Sequence, residues 1–230
     1  MFVSQSESYI DKLTEKLREI DVTAVWTGMG PGKTWVNFNA VAECKSGNKV
    51  WITFVDAQDE TLDALEPQAW LAWMPKVTSH IVDQHIEDIF EAHVLKDKIP
   101  ALINERQLAA YGITQMRTSS GEKDAAHIAV RQVVSASVGF VDRVSNRATT
   151  SSHYTLAVPI IVTDGPLFRC SLADDSSIKV EPSEREVLLT QTDDGKRFVA
   201  VHVLQECALP QFVRDCDELI RHLLVSSGSR

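Results

Sequence analysis

The chain reads as an α/β protein with a mixed central β-sheet flanked by helices, and three observations carry that reading. First, residues 35 to 45 alternate: Val36, Phe38, Ala40, Ala42 and Cys44 fall on one side, Trp35, Asn37, Asn39, Val41, Glu43 and Lys45 on the other. Successive strand side chains point to opposite faces, so this is a half-buried strand with one polar face. Second, short runs rich in β-branched and aromatic residues recur at 22–27, 49–55, 154–163 and 198–204, the last three apolar enough to be buried on both faces. Third, helical stripes lie among them: Ala126, Val130, Val133, Val134 and Val138 in a helix from Glu122 to about Val141, and Phe212, Leu219, Ile220 and Leu223 in a closing helix, 209–224.

In chain order, Ser6 to Ile20 fits an amphipathic helix, with Tyr9, Ile10, Leu13, Leu17 and Ile20 at three- and four-residue spacing. A strand at 22–27 and the turn GMGPGK at 28–33 then lead as a hairpin into the strand ending at Lys45. Ser46-Gly47-Asn48 is turn chemistry, after which 49–55 returns as a mostly apolar strand. Residues 57–121 read as a helical insertion: a Trp- and Leu-rich stretch at 58–75, a helix at 79–95, and a short helical piece punctuated by Pro100 and Gly112. After the helix from Glu122 and a loop at 145–152 comes the strand 154–163, stopped by Asp164-Gly165-Pro166. Strand pieces at 167–172, 178–190 and 198–204 precede the last helix. The whole reads as one domain over 1–225 with a flexible tail at 226–230.

Composition bounds the function. The chain has 230 residues, a formal charge of -9 and no long apolar run, so no transmembrane helix is expected. The start MFVSQSESYIDK lacks the basic and apolar regions of a secretory signal. Cys44, Cys170, Cys207 and Cys216 are scattered without a C-x-x-C pair, which argues against a disulfide framework or zinc ribbon. A cytoplasmic protein with free thiols is the expectation. The acidic balance argues against a broad basic nucleic-acid surface, yet it leaves room for a single basic cleft.

The chemistry-bearing set is Glu43-Cys44-Lys45. A carboxylate and an ammonium two residues apart stand on one face, about 7 Å apart along a strand rising about 3.3 Å per residue. A Glu-x-Lys triplet arises by chance about once in a chain of this size, and Asp194-Gly195-Lys196 matches the same form as a plain hairpin turn. What distinguishes Glu43 is its setting, a half-buried strand followed by a buried one; the competing reading is a solvated cross-strand pair. The run GMGPGKT at 28–34 is one residue short of a phosphate-binding loop and is followed by a strand rather than a helix, so it reads as a turn. His80, His85 and His93 lack metal-ligand spacing.

The run NAVAECKSGNKVWITF, residues 39–54, resembles the Glu-x-Lys strand of the PD-(D/E)XK restriction-endonuclease-like superfamily, particularly members reading E-C-K before an apolar strand with Trp. The helix from Glu122 and YTLAVPIIVT followed by DGPLF look like the later half of the same core. The resemblance implies a restriction-endonuclease-like fold and a nuclease using Mg²⁺ (or Mn²⁺). It makes Glu43 the motif acid and metal ligand, the Cys44 carbonyl a further ligand, and Lys45 the residue that orients or activates the attacking water. The superfamily places another acid on the preceding strand. Here the best candidate is Asp21, set opposite residue 43 if the hairpin turn centres on residues 30–33; Glu7, Glu15 and Asp56 are alternatives.

Lys123, His127 and Arg131, four residues apart on one helix, form a stripe that could face a phosphate backbone, or simply a solvated face. The expected activity is metal-dependent hydrolysis of nucleic acid, DNA ahead of RNA, in restriction, repair or anti-phage defence. The expected partner is nucleic acid rather than membrane, and a homodimer or larger complex would be compatible. The alternative is a nuclease-fold binding or scaffold module without catalysis.

Overall fold

The computed structural model describes residues 1–11, 15–29, 35–56, 110–116, 124–147, 153–173, 175–191 and 198–225. These form a mixed α/β architecture: ten strands in one sheet, with two helices on it. The strands are β1 (Phe2–Asp11), β2 (Lys16–Met29), β3 (Trp35–Lys45), β4 (Trp51–Val55), β5 (Ala110–Gln115), β6 (His153–Thr163), β7 (Leu167–Leu172), β8 (Ile178–Ser183), β9 (Arg185–Gln191) and β10 (Phe198–Gln205). The helices are α1 (Ala125–Arg147) and α2 (Leu209–Val225). The sheet order is β1-β2-β3-β6-β10-β9-β5-β4-β7-β8.

β1, β2 and β3 form an antiparallel meander, and β6 joins β3 in parallel over eleven paired residues, from Trp35–His153 to Lys45–Thr163. A parallel neighbour requires a crossover, and α1 lies in the connection. Alternation along β3 divides its residues between two layers. Val41 joins the core under α1 with Ala129, Val133 and Ile161. Phe38 and Ala40 join the opposite core under α2 with Phe212, Cys216, Leu219 and Ile220. Fully burying such a side chain contributes about 1.5–3 kcal/mol, so the two apolar stripes suffice to seat both helices.

α1 begins at Asp124, whose Oδ1 accepts the Ala126 amide at 2.9 Å and the Gln115 amide at 3.2 Å, while Thr114 Oγ1 donates to Oδ2 at 2.6 Å. One carboxylate therefore caps the helix and fastens it to β5. Burial alone would raise the pKa of Asp124, but these hydrogen bonds and the nearby His127 outweigh it and hold it below the usual range.

The sheet has to curl. β6 and β7 stand five places apart in the order, which is about 24 Å in a flat sheet at about 4.8 Å per strand. Only Asp164, Gly165 and Pro166 join them, a reach of about 14 Å at most. The link between β3 and β4 follows the same bend: Asp164 N–H donates to the Lys45 carbonyl at 3.4 Å, Gly47 N–H to Asp164 Oδ1 at 2.8 Å, and Trp51 N–H to the Pro166 carbonyl at 2.8 Å. A Cβ on Gly165 would fall 2.2 Å from the Lys49 carbonyl oxygen, so only glycine lets the two links touch. Inside the curl, Arg169 of β7 donates from Nε to both oxygens of the fully buried Glu186 of β9, at 3.0 and 3.1 Å. That ion pair spans strands that are not neighbours.

Three expectations are corrected. The helix expected at 6–20 is instead the β1–β2 hairpin, paired from Phe2–Val25 to Asp11–Lys16. Its apolar residues fit a helical stripe, but the pairing turns Ile10 and Leu17 outward together, 63% and 72% exposed, and sends Tyr9 and Ile20 inward. Second, the insertion expected over 57–121 contains a core strand: β5, with Gly112 inside it, pairs β4 antiparallel. The rest of that insertion lies outside the described residues, as do the tail 226–230 and the histidines at 80, 85 and 93. Third, β4 does not return beside β3 but lies between β5 and β7. No helix among the described residues is long and apolar enough to cross a membrane. Of the two sheet edges, β8 is exposed and carries the Lys179–Glu181 pair and Pro182, features that discourage further pairing.

Candidate active site at the end of β3

The alternation that puts Val41 under α1 puts Glu43 and Lys45 on the same side, at the carboxyl end of the parallel β3–β6 pair. Ligand sites of α/β sheets commonly form at such strand ends. Glu43 is 6% exposed, and Lys45 is half-buried. Lys45 Nζ donates to Glu43 Oε1 at 2.5 Å and to Gln132 Oε1 of α1 at 3.4 Å. The turn of α1 that carries Gln132 is held to β1 by Tyr9, whose hydroxyl donates to the Gln132 carbonyl at 3.3 Å. Gly139, two turns further along the same helical face, sits close to the Tyr9 ring.

β2 supplies the second acid. The β2–β3 ladder begins at Val22–Ala42, so Asp21 lies one step on, opposite Glu43, as the hairpin reading expects. The β1–β2 pairing passes from Gln5–Val22 to Glu7–Ile20 and omits Ser6 and Asp21; Ser6 has φ 56. Asp21 thus stands at a break in the ladder, and its Oδ2 accepts the Cys44 amide at 2.7 Å. A carboxylate accepting one N–H keeps further lone pairs for ligation.

The electrostatics follow from this crowding. Burial pushes the Glu43 carboxyl above its usual range; the hydrogen bond and charge of Lys45 pull it down, and the Asp21 charge adds to the rise. Burial, with Asp21 and Glu43 beside it, likewise raises the Cys44 thiol, which disfavours its thiolate form. Two carboxylates meet one ammonium here, leaving a surplus negative charge. Hard oxygen donors of that kind suit Mg²⁺ or Mn²⁺, which need only one or two protein carboxylates. Among the described residues no group of three or more His, Cys, Asp and Glu side chains is gathered for a metal.

The remaining candidates divide. His127 and Arg131 are exposed on α1, and Lys123 lies outside the described residues; His127 also faces the capping Asp124. Glu7 Oε1 accepts the Thr23 hydroxyl at 3.1 Å, while Glu15 and Asp56 are exposed. Of the glycine-rich loop, residues 30–34 lie outside the described residues, and strand β3 follows it at Trp35. Gln132 was not foreseen, because a polar residue beside an apolar helical stripe carries no signal of its own.

The α2 face holds a different polar group. Arg185 Nη1 pairs with Asp215 Oδ2 at 3.0 Å, Gln211 Nε2 donates to Asp215 Oδ1 at 2.8 Å, and the guanidinium lies 5.2 Å from the Phe212 ring. His202, packed on the same ring and 1% exposed, is pushed down to about 3 by burial and by the Arg185 charge. It is therefore neutral at any physiological pH. This group ties α2 to β9 and β10. Comparison with family models, curated proteins and solved structures finds no match for the chain.

Proposed function

We propose that the chain is a metal-dependent nuclease that hydrolyses phosphodiester bonds in nucleic acid, with DNA the preferred class. The observation that carries the reading is the convergence of Glu43, Lys45 and Asp21 at one strand end, beneath a helix that contributes Gln132. The helix α1 and the strand β6 that follows it, parallel to β3, are the stretch that the resemblance to the restriction-endonuclease-like superfamily assigns to the later half of its core. In this reading Glu43 and Asp21 hold Mg²⁺ or Mn²⁺, with the Cys44 carbonyl as a further ligand. Bound there, a cation would lower the pKa of water and offset the negative charge developing on the phosphoryl oxygens. Lys45 holds the attacking water by a hydrogen bond and offers a positive charge to the non-bridging phosphate oxygens. Arg131 and His127, exposed on α1, supply contacts to the flanking backbone.

A second reading has its own support. Lys45 is already satisfied by Glu43 and Gln132, and Asp21 by the Cys44 amide, as in a binding or scaffold module that keeps the fold without catalysis. Incubating the protein with plasmid and single-stranded DNA, with and without Mg²⁺ or Mn²⁺, separates the two. The nuclease reading expects cleavage only with metal, abolished in Glu43→Ala. Absence of cleavage by wild type, with intact DNA binding, would favour the module.

A further inference from the structure

Lys45 Nζ sits between two acceptors of different kind. Glu43 Oε1, at 2.5 Å, is a charged oxygen that a divalent cation would also need; Gln132 Oε1, at 3.4 Å, is a neutral one that binds such a cation less strongly. An ammonium and a metal ion cannot both lie in close contact with the same carboxylate oxygen, because two cations at such separation repel by several kcal/mol at about ε 20. Among the described residues, Gln132 Oε1 is the other acceptor that Lys45 Nζ reaches. The lysine's strand is fixed by eleven paired residues in β6, so the ammonium moves by rotating side-chain bonds, and Gln132 lies on a helical turn pinned by Tyr9.

We infer that Lys45 is a built-in competitor for the metal position, and that Gln132 is the seat that receives its ammonium when a divalent cation takes Glu43. This rests on the metal-site reading above. It makes metal entry and lysine placement one event: the cation displaces Lys45 from Glu43 toward Gln132, away from the carboxylate and into the position from which it can address a water. In this account Gln132 is a positioning residue, acting through Lys45.

The test is Mn²⁺ affinity, read by the electron paramagnetic resonance of free Mn²⁺ without any nucleic acid. Lys45→Met and Lys45→Gln both remove the competing charge, and two variants guard against one that misfolds. Both are expected to bind Mn²⁺ about tenfold tighter than wild type, Gln132→Leu about severalfold weaker because the ammonium loses its second seat, and Glu43→Gln to lose binding. Unchanged or weaker binding in both Lys45 variants, with loss still seen in Glu43→Gln, would overturn the competition and leave the metal site standing. Unchanged affinity in Gln132→Leu would overturn the role of Gln132. No binding by any protein at millimolar Mn²⁺, wild type included, would overturn both the competition and the metal-site reading.

Discussion

Two buried carboxylates of this sheet, Glu43 and Glu186, are each paired with one cation, and they are built for different ends. Glu186 is fully buried, receives Arg169 through both its oxygens, and is balanced one charge against one. Glu43 receives a half-buried lysine through one oxygen and has a second acid, Asp21, acting on it. The first pair closes the curl of the sheet between β7 and β9. The second leaves a negative surplus at a strand end, where a further cation is favoured. The Arg169 pair is balanced and bifurcated, one N–H shared between both oxygens, whereas the Lys45 pair is one-sided and acid-rich, a setting in which functional sites cluster.

The contrast can be broken most forcefully at the architectural end. Arg169→Met should destabilise the fold by about 3–5 kcal/mol, because it strands a buried charge. In a chain of this length that lowers the melting temperature by roughly 10 °C, at about 2–4 °C per kcal/mol. Calorimetry showing a loss below about 1 kcal/mol would mean that Glu186 is not held by Arg169.

Asp124 gives a smaller effect with a pH signature. Asp124→Ala should cost about 1–2 kcal/mol as a lost helix cap. Because its pKa is lowered in the fold, its contribution is present above the unfolded carboxylate value and disappears as pH falls through the folded one. The difference in stability between wild type and variant should therefore shrink on acidification; a difference constant down to strongly acid pH would contradict the assignment.

Glu43 should behave in the opposite sense. Its pKa is raised by burial, so the folded state binds the proton more tightly, and stability is lost as pH rises from the unfolded value through the folded one. Glu43→Gln should accordingly leave the melting temperature at neutral pH unchanged or raise it by a few degrees, since about 1 kcal/mol moves it by about 2–4 °C. A marked fall would make Glu43 a structural residue like Glu186 and erase the distinction.

How much of this was legible beforehand depends on which interactions are local. Glu43, Lys45 and their shared face followed from period-two alternation, and Asp21 opposite Glu43 from the length of one hairpin, because antiparallel register is set by the turn. The α1 and α2 stripes were equally plain, since a helix shows its buried face within its own sequence. β1 reads as a helix in the sequence because FVSQSESYID carries too few apolar residues to separate a period of two from 3.6. β5 was missed because AYGITQ contains a glycine that reads as a breaker, and its partners are more than fifty residues away. The curl depends on the Gly165 contact and the Arg169–Glu186 pair, long-range events with no local pattern. Gln132 belongs to the same class: only the packing of α1 on β3 reveals it.

Lys45 is the side chain whose removal tests this strand end most directly. The measurement is metal-dependent cleavage of plasmid DNA by wild type and Lys45→Ala, with the melting temperature of each recorded on the same preparations. The Lys45 side chain is 25% exposed beside a buried Glu43, and burial already drives the carboxyl left behind toward its neutral form, so protonation of Glu43 limits the cost of removing the ammonium. The expected result is loss of cleavage by at least about 10²-fold, in the range of a displaced catalytic group, at a melting temperature within a few degrees of wild type. Cleavage undiminished in folded Lys45→Ala would contradict the assignment of this strand end as the catalytic site.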